Sequence, residues 1–127
     1  MSSPPTGPES PTAHLRLGAL GEELAAEHLR SDGMRILDRN WSCESGELDI
    51  IAGDHGVLVF CEVKTRRDRQ WGSPFEAVDA GKVRRLSTTA RRWRQRRRLQ
   101  DRPYRYDLVG ILVDGARAEL EHRQAVW

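Results

Sequence analysis

Asp49, Glu62 and Lys64 are the side chains in this sequence whose types and spacing could do chemistry together. Carboxylates from Asp and Glu are hard oxygen ligands that favour Mg2+ or Mn2+. A divalent ion held by them would polarise a phosphate oxygen and acidify a bound water. A lysine two residues from the glutamate could orient that water or stabilise charge growing on the phosphate. Glu-x-Lys on a strand is also what an alternating, solvated sheet face produces with no function attached. What argues against that reading is the preceding run Val57-Leu58-Val59-Phe60-Cys61, which has the character of a buried strand, where charges need a reason.

The positioning of these residues depends on strand register. Side chains alternate along a strand, so Glu62 and Lys64 share a face. With Gly53-Asp54-His55-Gly56 as a four-residue turn between Glu47–Ala52 and Val57–Thr65, Ala52 pairs with Val57 and Asp49 lies opposite Phe60. Glu62 is then the diagonal neighbour of Asp49 on the same face, close enough for two carboxylates to share one ion. A three-residue turn with a bulge would shift the register by one and send Asp49 to the other face.

The elements around this hairpin follow from periodicity. His14–Arg30 reads as a helix with Leu17, Gly21, Leu24, Ala25 and His28 on one stripe, Glu22 at its margin, Thr12 as N-cap and Gly33 as stop. Met34–Ser42 reads as a first strand, and Arg66–Pro74 as a charged loop. A second helix is expected from an Asp79 cap to Leu99. Its apolar positions Val83, Leu86, Ala90 and Trp93 face inward and its arginines outward. Tyr104–Val113 and Ala118–Arg123 complete the order α-β-β-β-α-β-β, an α/β domain with a mixed central sheet flanked by helices.

The chain of 127 residues fits one domain, assigned to residues 13–127, after an N-terminal tail rich in Ser and Pro over 1–12 that is read as disordered. The tail lacks the apolar core of a signal peptide, and no run is long enough to span a bilayer. Two cysteines, Cys43 and Cys61, without a C-x-x-C pair, and four histidines far apart in sequence give no zinc motif and point to a reduced, cytoplasmic setting. The net charge of +2 conceals an asymmetry: from Lys64 to Arg105 basic residues outnumber acidic ones 15 to four, and elsewhere the balance is acidic. A basic half beside a carboxylate-rich half suits a polyanion partner, although 19 Arg against two Lys also reflects a compositional preference for arginine. Trp93 continues the apolar stripe of its helix and reads as core. Trp71, in the loop after Lys64, is the better candidate for base stacking. Asp107, at a strand start near Arg105, reads as a paired structural carboxylate.

Several segments together resemble the YraN-like family of bacterial proteins. These are Gly18-x-x-Gly21-Glu22-x-x-Ala25, Gly46-Glu47-Leu48-Asp49-Ile50-Ile51-Ala52 and Val59-Phe60-x-Glu62-Val63-Lys64-Thr65-Arg66, followed by Glu76-Ala77-Val78-x-x-x-Lys82 and Arg105-Tyr106-Asp107-Leu108-Val109. That family is grouped with Holliday-junction-resolvase-like endonucleases of the PD-(D/E)xK superfamily. The resemblance runs from about His14 to Trp127 and is specific as an ordered set. It departs from the superfamily motif in having Leu48, not proline, before Asp49.

The resemblance implies a restriction-endonuclease-like fold and a Mg2+- or Mn2+-dependent endonuclease acting on branched or structured DNA, with DNA preferred to RNA. It implies Asp49, Glu62 and Glu22 as metal ligands, Lys64 as the catalytic lysine, and Lys82 and Arg66 as phosphate contacts. Arg67, Arg85, Arg92 and Arg96 extend the basic surface. Resolvase-like enzymes also pair as homodimers so that two centres meet two strands. Two other readings stay open at this point: a nucleic-acid-binding module that kept the nuclease fold without catalysis, and a protein-interaction domain that docks an acidic partner on its basic helix.

Overall fold

The structure, a computed structural model, describes residues 11–67 and 80–127. Two helices and five strands follow in the order α1 (Pro11–Ser31), β1 (Arg35–Cys43), β2 (Gly46–Asp54), β3 (Val57–Arg66), α2 (Ala80–Arg97), β4 (Tyr104–Asp114) and β5 (Arg117–Arg123). The order is the one periodicity predicts. Helix α1 begins earlier than expected, at Pro11, so Thr12 lies inside it and is not its cap. A proline is tolerated in a first turn because its missing N–H would have no partner there. At the other end Gly33 takes φ +87°. Its N–H donates to Arg30 O and that of Met34 to Leu29 O, the paired closure that a left-handed residue after a helix permits. The Asp79 cap, Trp71 and residues 68–79 of the connecting loop lie outside the described residues, as do residues 1–10 of the tail.

The strands form one sheet in the order β1-β2-β3-β4-β5. All neighbours are antiparallel except β3 and β4, which run parallel, so the sheet is mixed. Parallel neighbours cannot be joined by a tight turn, and the connection between them carries α2. Each helix covers one face. Under α1 lie Leu17, Ala25, Ala26 and Leu29 with Ile50, Ala52, Val59, Cys61, Val109 and Ile111. Under α2 lie Leu86, Ala90 and Trp93 with Leu48, Ile51, Leu58, Phe60 and Tyr106.

The β2–β3 register differs from the expected one. Asp54 pairs with Val57 and Ala52 with Val59, so the turn is only His55-Gly56. Both turn residues have positive φ, +50° and +86°, as a type I′ hairpin requires. The four-residue turn is thus corrected to two. Because the slip is by two positions, the face assigned to each β3 side chain is unchanged.

Candidate active site

The ladder between β2 and β3 ends at the pair Ile50–Cys61. At this point the alternation of β2 also breaks: Ile50 packs under α1 whereas Leu48, two residues before it, packs under α2. Asp49 sits at the break. Its Oδ2 accepts a hydrogen bond from the Val63 backbone N–H at 2.8 Å. It is therefore held against β3 beside the Glu62 position while still sensing charge from α1.

The electrostatics record that crowding. Burial first, then the Glu62 carboxylate, push the Asp49 carboxyl up to about 7, and Glu22 adds to the rise. The Val63 N–H and the Lys64 ammonium oppose it without restoring an ordinary carboxylate. Glu22 reaches this neighbourhood because α1 lies unusually close to β3. A Cβ on buried Gly21 would run into the Thr65 side chain, so only glycine lets the helix settle there.

Glu62 faces α2. Its Oε1 lies 3.1 Å from Lys82 Nζ on α2 and 3.5 Å from Lys64 Nζ on its own strand. Burial and the neighbouring Lys82 ammonium hold Lys64 below the usual lysine range, against the pull of Glu62 and Asp49. The sequence reading assigned Lys82 to phosphate contact. The fold brings it into the carboxylate–lysine centre itself, and a single chain position on a separate helix gives no local signal of that. A groove of about 310 Å3 opens beside the centre, lined by Glu62 and Lys82 together with Glu47 and Arg85.

On α2 the positions 82, 85, 89, 92 and 96 succeed one another at helical spacing and form one stripe. Buried Thr89 anchors its middle: Oγ1 donates to Arg85 O at 2.8 Å and meets Ser45 Oγ at 3.0 Å, pinning the β1–β2 turn to the helix. Arg92 stands 4.0 Å from Glu44, and Arg96 lies over the Trp41 ring. Arg66 closes β3, half-buried, and exposed Arg67 follows. Trp93 is buried, edge-on to Phe60, and its Nε1–H donates to Asp38 Oδ2 at 3.1 Å, so it belongs to the core. Asp107 is fully buried, with Arg105, His122 and the Ala125 N–H all donating to it.

Asp49 and Glu62 offer carboxylate oxygens, donors that suit a hard divalent cation such as Mg2+ or Mn2+. Glu22, on the α1 side, acts on Asp49 through its charge, and the oxygens of the three do not all come within 4.8 Å of one another. Burial chiefly, and then the Glu62 and Glu22 charges, raise the Asp49 carboxyl, and a cation beside it would act in the opposite sense. Among the described residues, no helix is long and apolar enough to cross a membrane.

Comparison with known proteins finds that the profile described as "Uncharacterised protein family UPF0102" matches residues 21–111. A UPF0102 protein of Nocardioides sp. is 54% identical over 96 residues, covering 76% of this chain and 77% of its own length. One from Arthrobacter sp. is 49% identical over 111 residues, covering 87% of this chain and 94% of the relative. One from Pelobacter propionicus is 46% identical over 122 residues, covering 90% and 87%.

Proposed function

The chain belongs to the UPF0102 family, and from that footing we propose that it is a divalent-metal-dependent endonuclease-like enzyme acting on nucleic acid, with branched or structured DNA as its substrate class. The observation that supports this reading is that Glu62 lies 3.5 Å from Lys64 on β3 while the buried Asp49, bonded to the Val63 N–H of the same strand, feels the charges of Glu62 and Glu22. Buried like charges are costly and are not gathered without compensation. Asp49 and Glu62, with Glu22, would hold the cation, and a bound Mg2+ or Mn2+ supplies charge neutralisation and an acidified water. Lys64 orients the attacking water or meets the charge that develops on the phosphate, helped by an ammonium that gives up its proton more readily than an ordinary lysine. Lys82, Arg85, Arg92 and Arg96 track the phosphate backbone away from the groove, with Arg66 and Arg67 on the β3 side.

A second reading has its own support. Lys64 and Lys82 already neutralise Glu62, which is what a non-cleaving module with the same fold would need. One experiment separates the two. Purified protein is incubated with branched, nicked, single-stranded and duplex substrates plus Mg2+ or Mn2+. Metal-dependent cleavage is expected, lost in Asp49→Asn, Glu62→Gln and Lys64→Ala. The first two should lose metal affinity by calorimetry while binding nucleic acid as well as or better than before, because a charge that repels phosphate is gone. Lys64→Ala should keep the metal. Undiminished metal affinity in the Asp49→Asn/Glu62→Gln double variant decides for the binding module.

A further inference from the structure

Sequence spacing keeps the histidines apart, yet the fold closes two of them onto one point. His28 lies in the last turn of α1 and His122 on β5, and His28 Nε2 is 3.0 Å from His122 Nδ1. Asp32, one helical turn after His28, brings Oδ2 to 3.4 Å from His28 Nε2 and 4.0 Å from His122 Nδ1. We propose that His28, Asp32 and His122 form a second metal site, for a d-block divalent cation of the Zn2+ kind, distinct from the Asp49–Glu62 centre.

The donor chemistry differs from that of the first site. Two imidazole nitrogens and one carboxylate oxygen suit Zn2+ and its neighbours rather than Mg2+. Around tetrahedral zinc, bonds of about 2.0–2.1 Å leave donor atoms roughly 3.3–3.4 Å apart. The observed triangle of 3.0, 3.4 and 4.0 Å brackets that spacing. Its longest side runs to Asp32, whose side chain is 47% exposed and has room to close.

The surroundings of His122 fix which nitrogen is free. Its Nε2 lies 2.8 Å from Asp107 Oδ2, and its side chain is only 7% exposed. Arg105 donates to both oxygens of buried Asp107, and the Ala125 N–H donates to one. The Asp107 carboxylate, paired with Arg105, accepts the Nε2–H of His122, which leaves the Nδ1 lone pair directed at His28. A buried carboxylate behind a ligating imidazole sets its tautomer and orientation in many metal sites. The two rings meet edge-on, at 84°, with nitrogens and not faces opposed. A plain hydrogen bond between the imidazoles would give Asp32 only a share of one proton, whereas a cation satisfies all three donors. His28 and Asp32 lie on the solvent side, so the remaining coordination position is open to water. The ion would clip edge strand β5 to the end of α1.

The test uses the untagged full chain carrying Asp49→Asn and Glu62→Gln, so that the first centre is silent. Zn2+ titration by calorimetry and Co2+ titration by visible absorption are expected to show one bound ion, with a rise in melting temperature on adding Zn2+. Adding His28→Gln or Asp32→Asn, both at partly exposed positions and checked for fold by circular dichroism, should weaken binding by about tenfold or more and remove the thermal shift. Absence of stoichiometric Zn2+ binding at micromolar metal, or binding that neither substitution changes, would overturn the proposal. Neither outcome touches the cleavage reading, which rests on other residues.

Discussion

Glu62 stands between two ammonium groups, and that arrangement makes Lys82 a competitor for any cation at the centre. Replacing Lys82 by alanine is expected to tighten Mg2+ or Mn2+ binding a few-fold, in keeping with a partly exposed pair worth about 0.5–1 kcal/mol. Cleavage should fall nonetheless, since Lys64 loses the neighbour that depresses its pKa. Calorimetry and turnover on the same variant check both directions. The two thiols offer another measurement. Cys61 is buried, and burial first, then nearby carboxylates, push its thiol well up. At Cys43 burial is outweighed by hydrogen bonds from Ser45 and the nearness of Arg92, which hold the thiol below its usual value. A depressed pKa means more thiolate at a given pH, so alkylation at pH 7–8 should modify Cys43 alone and reach its plateau at lower pH than for an ordinary exposed thiol. Because Cys43, Ser45 and Arg92 border the basic stripe, bound nucleic acid should slow that alkylation, which mass spectrometry reads directly.

Helix α1 delivers Glu22 only because Gly21 lets it rest on β3. Gly21→Ala would press against Thr65 Cβ at 2.9 Å, a contact that no rotation of the threonine side chain relieves. The expected cost is about 1–3 kcal/mol of stability, with loss of metal affinity beyond what that destabilisation explains; urea unfolding and calorimetry measure the two separately. Element order was legible in the sequence because each segment carries a strong period: Val83, Leu86, Ala90 and Trp93 make the inner face of α2 readable without a structure. The hairpin register was less so. Gly53-Asp54-His55-Gly56 admits a four- or a two-residue turn, and only the willingness of His55 to take positive φ selects the shorter. The face of Glu62 and Lys64 survived because the slip was even. The break in alternation at Asp49 left no mark in the composition of β2, since Leu48 and Ile50 are apolar alike and only the two helices distinguish their faces. Lys82 beside Glu62, and His28 beside His122, depend on contacts between distant elements that local pattern does not encode.

Across the whole molecule, the basic stripe of α2 leads away from the groove that holds Glu62, so the stripe and the carboxylate centre form one surface, on which the proposed nucleic acid would lie. Affinity for DNA or RNA is expected to be roughly micromolar to 100 µM at physiological salt, to fall steeply as salt rises, and to show little sequence preference. Fluorescence anisotropy at several salt concentrations tests this, and indifference to salt would remove nucleic acid as the partner. The one parallel pairing in the sheet has a further consequence, in the order of folding events. Strands β1, β2 and β3 are joined by short turns, so their pairing closes small loops at low entropic cost. Glu62 meets Leu108 only after the whole α2 connection has been gathered in. Non-local pairing of this kind is slow, so the hairpin bearing Asp49, Glu62 and Lys64 can assemble while α2 and β4 are still to be synthesised. During that interval the carboxylates face one another without Lys82, and the growing chain carries its acidic centre before it acquires the basic helix that balances it.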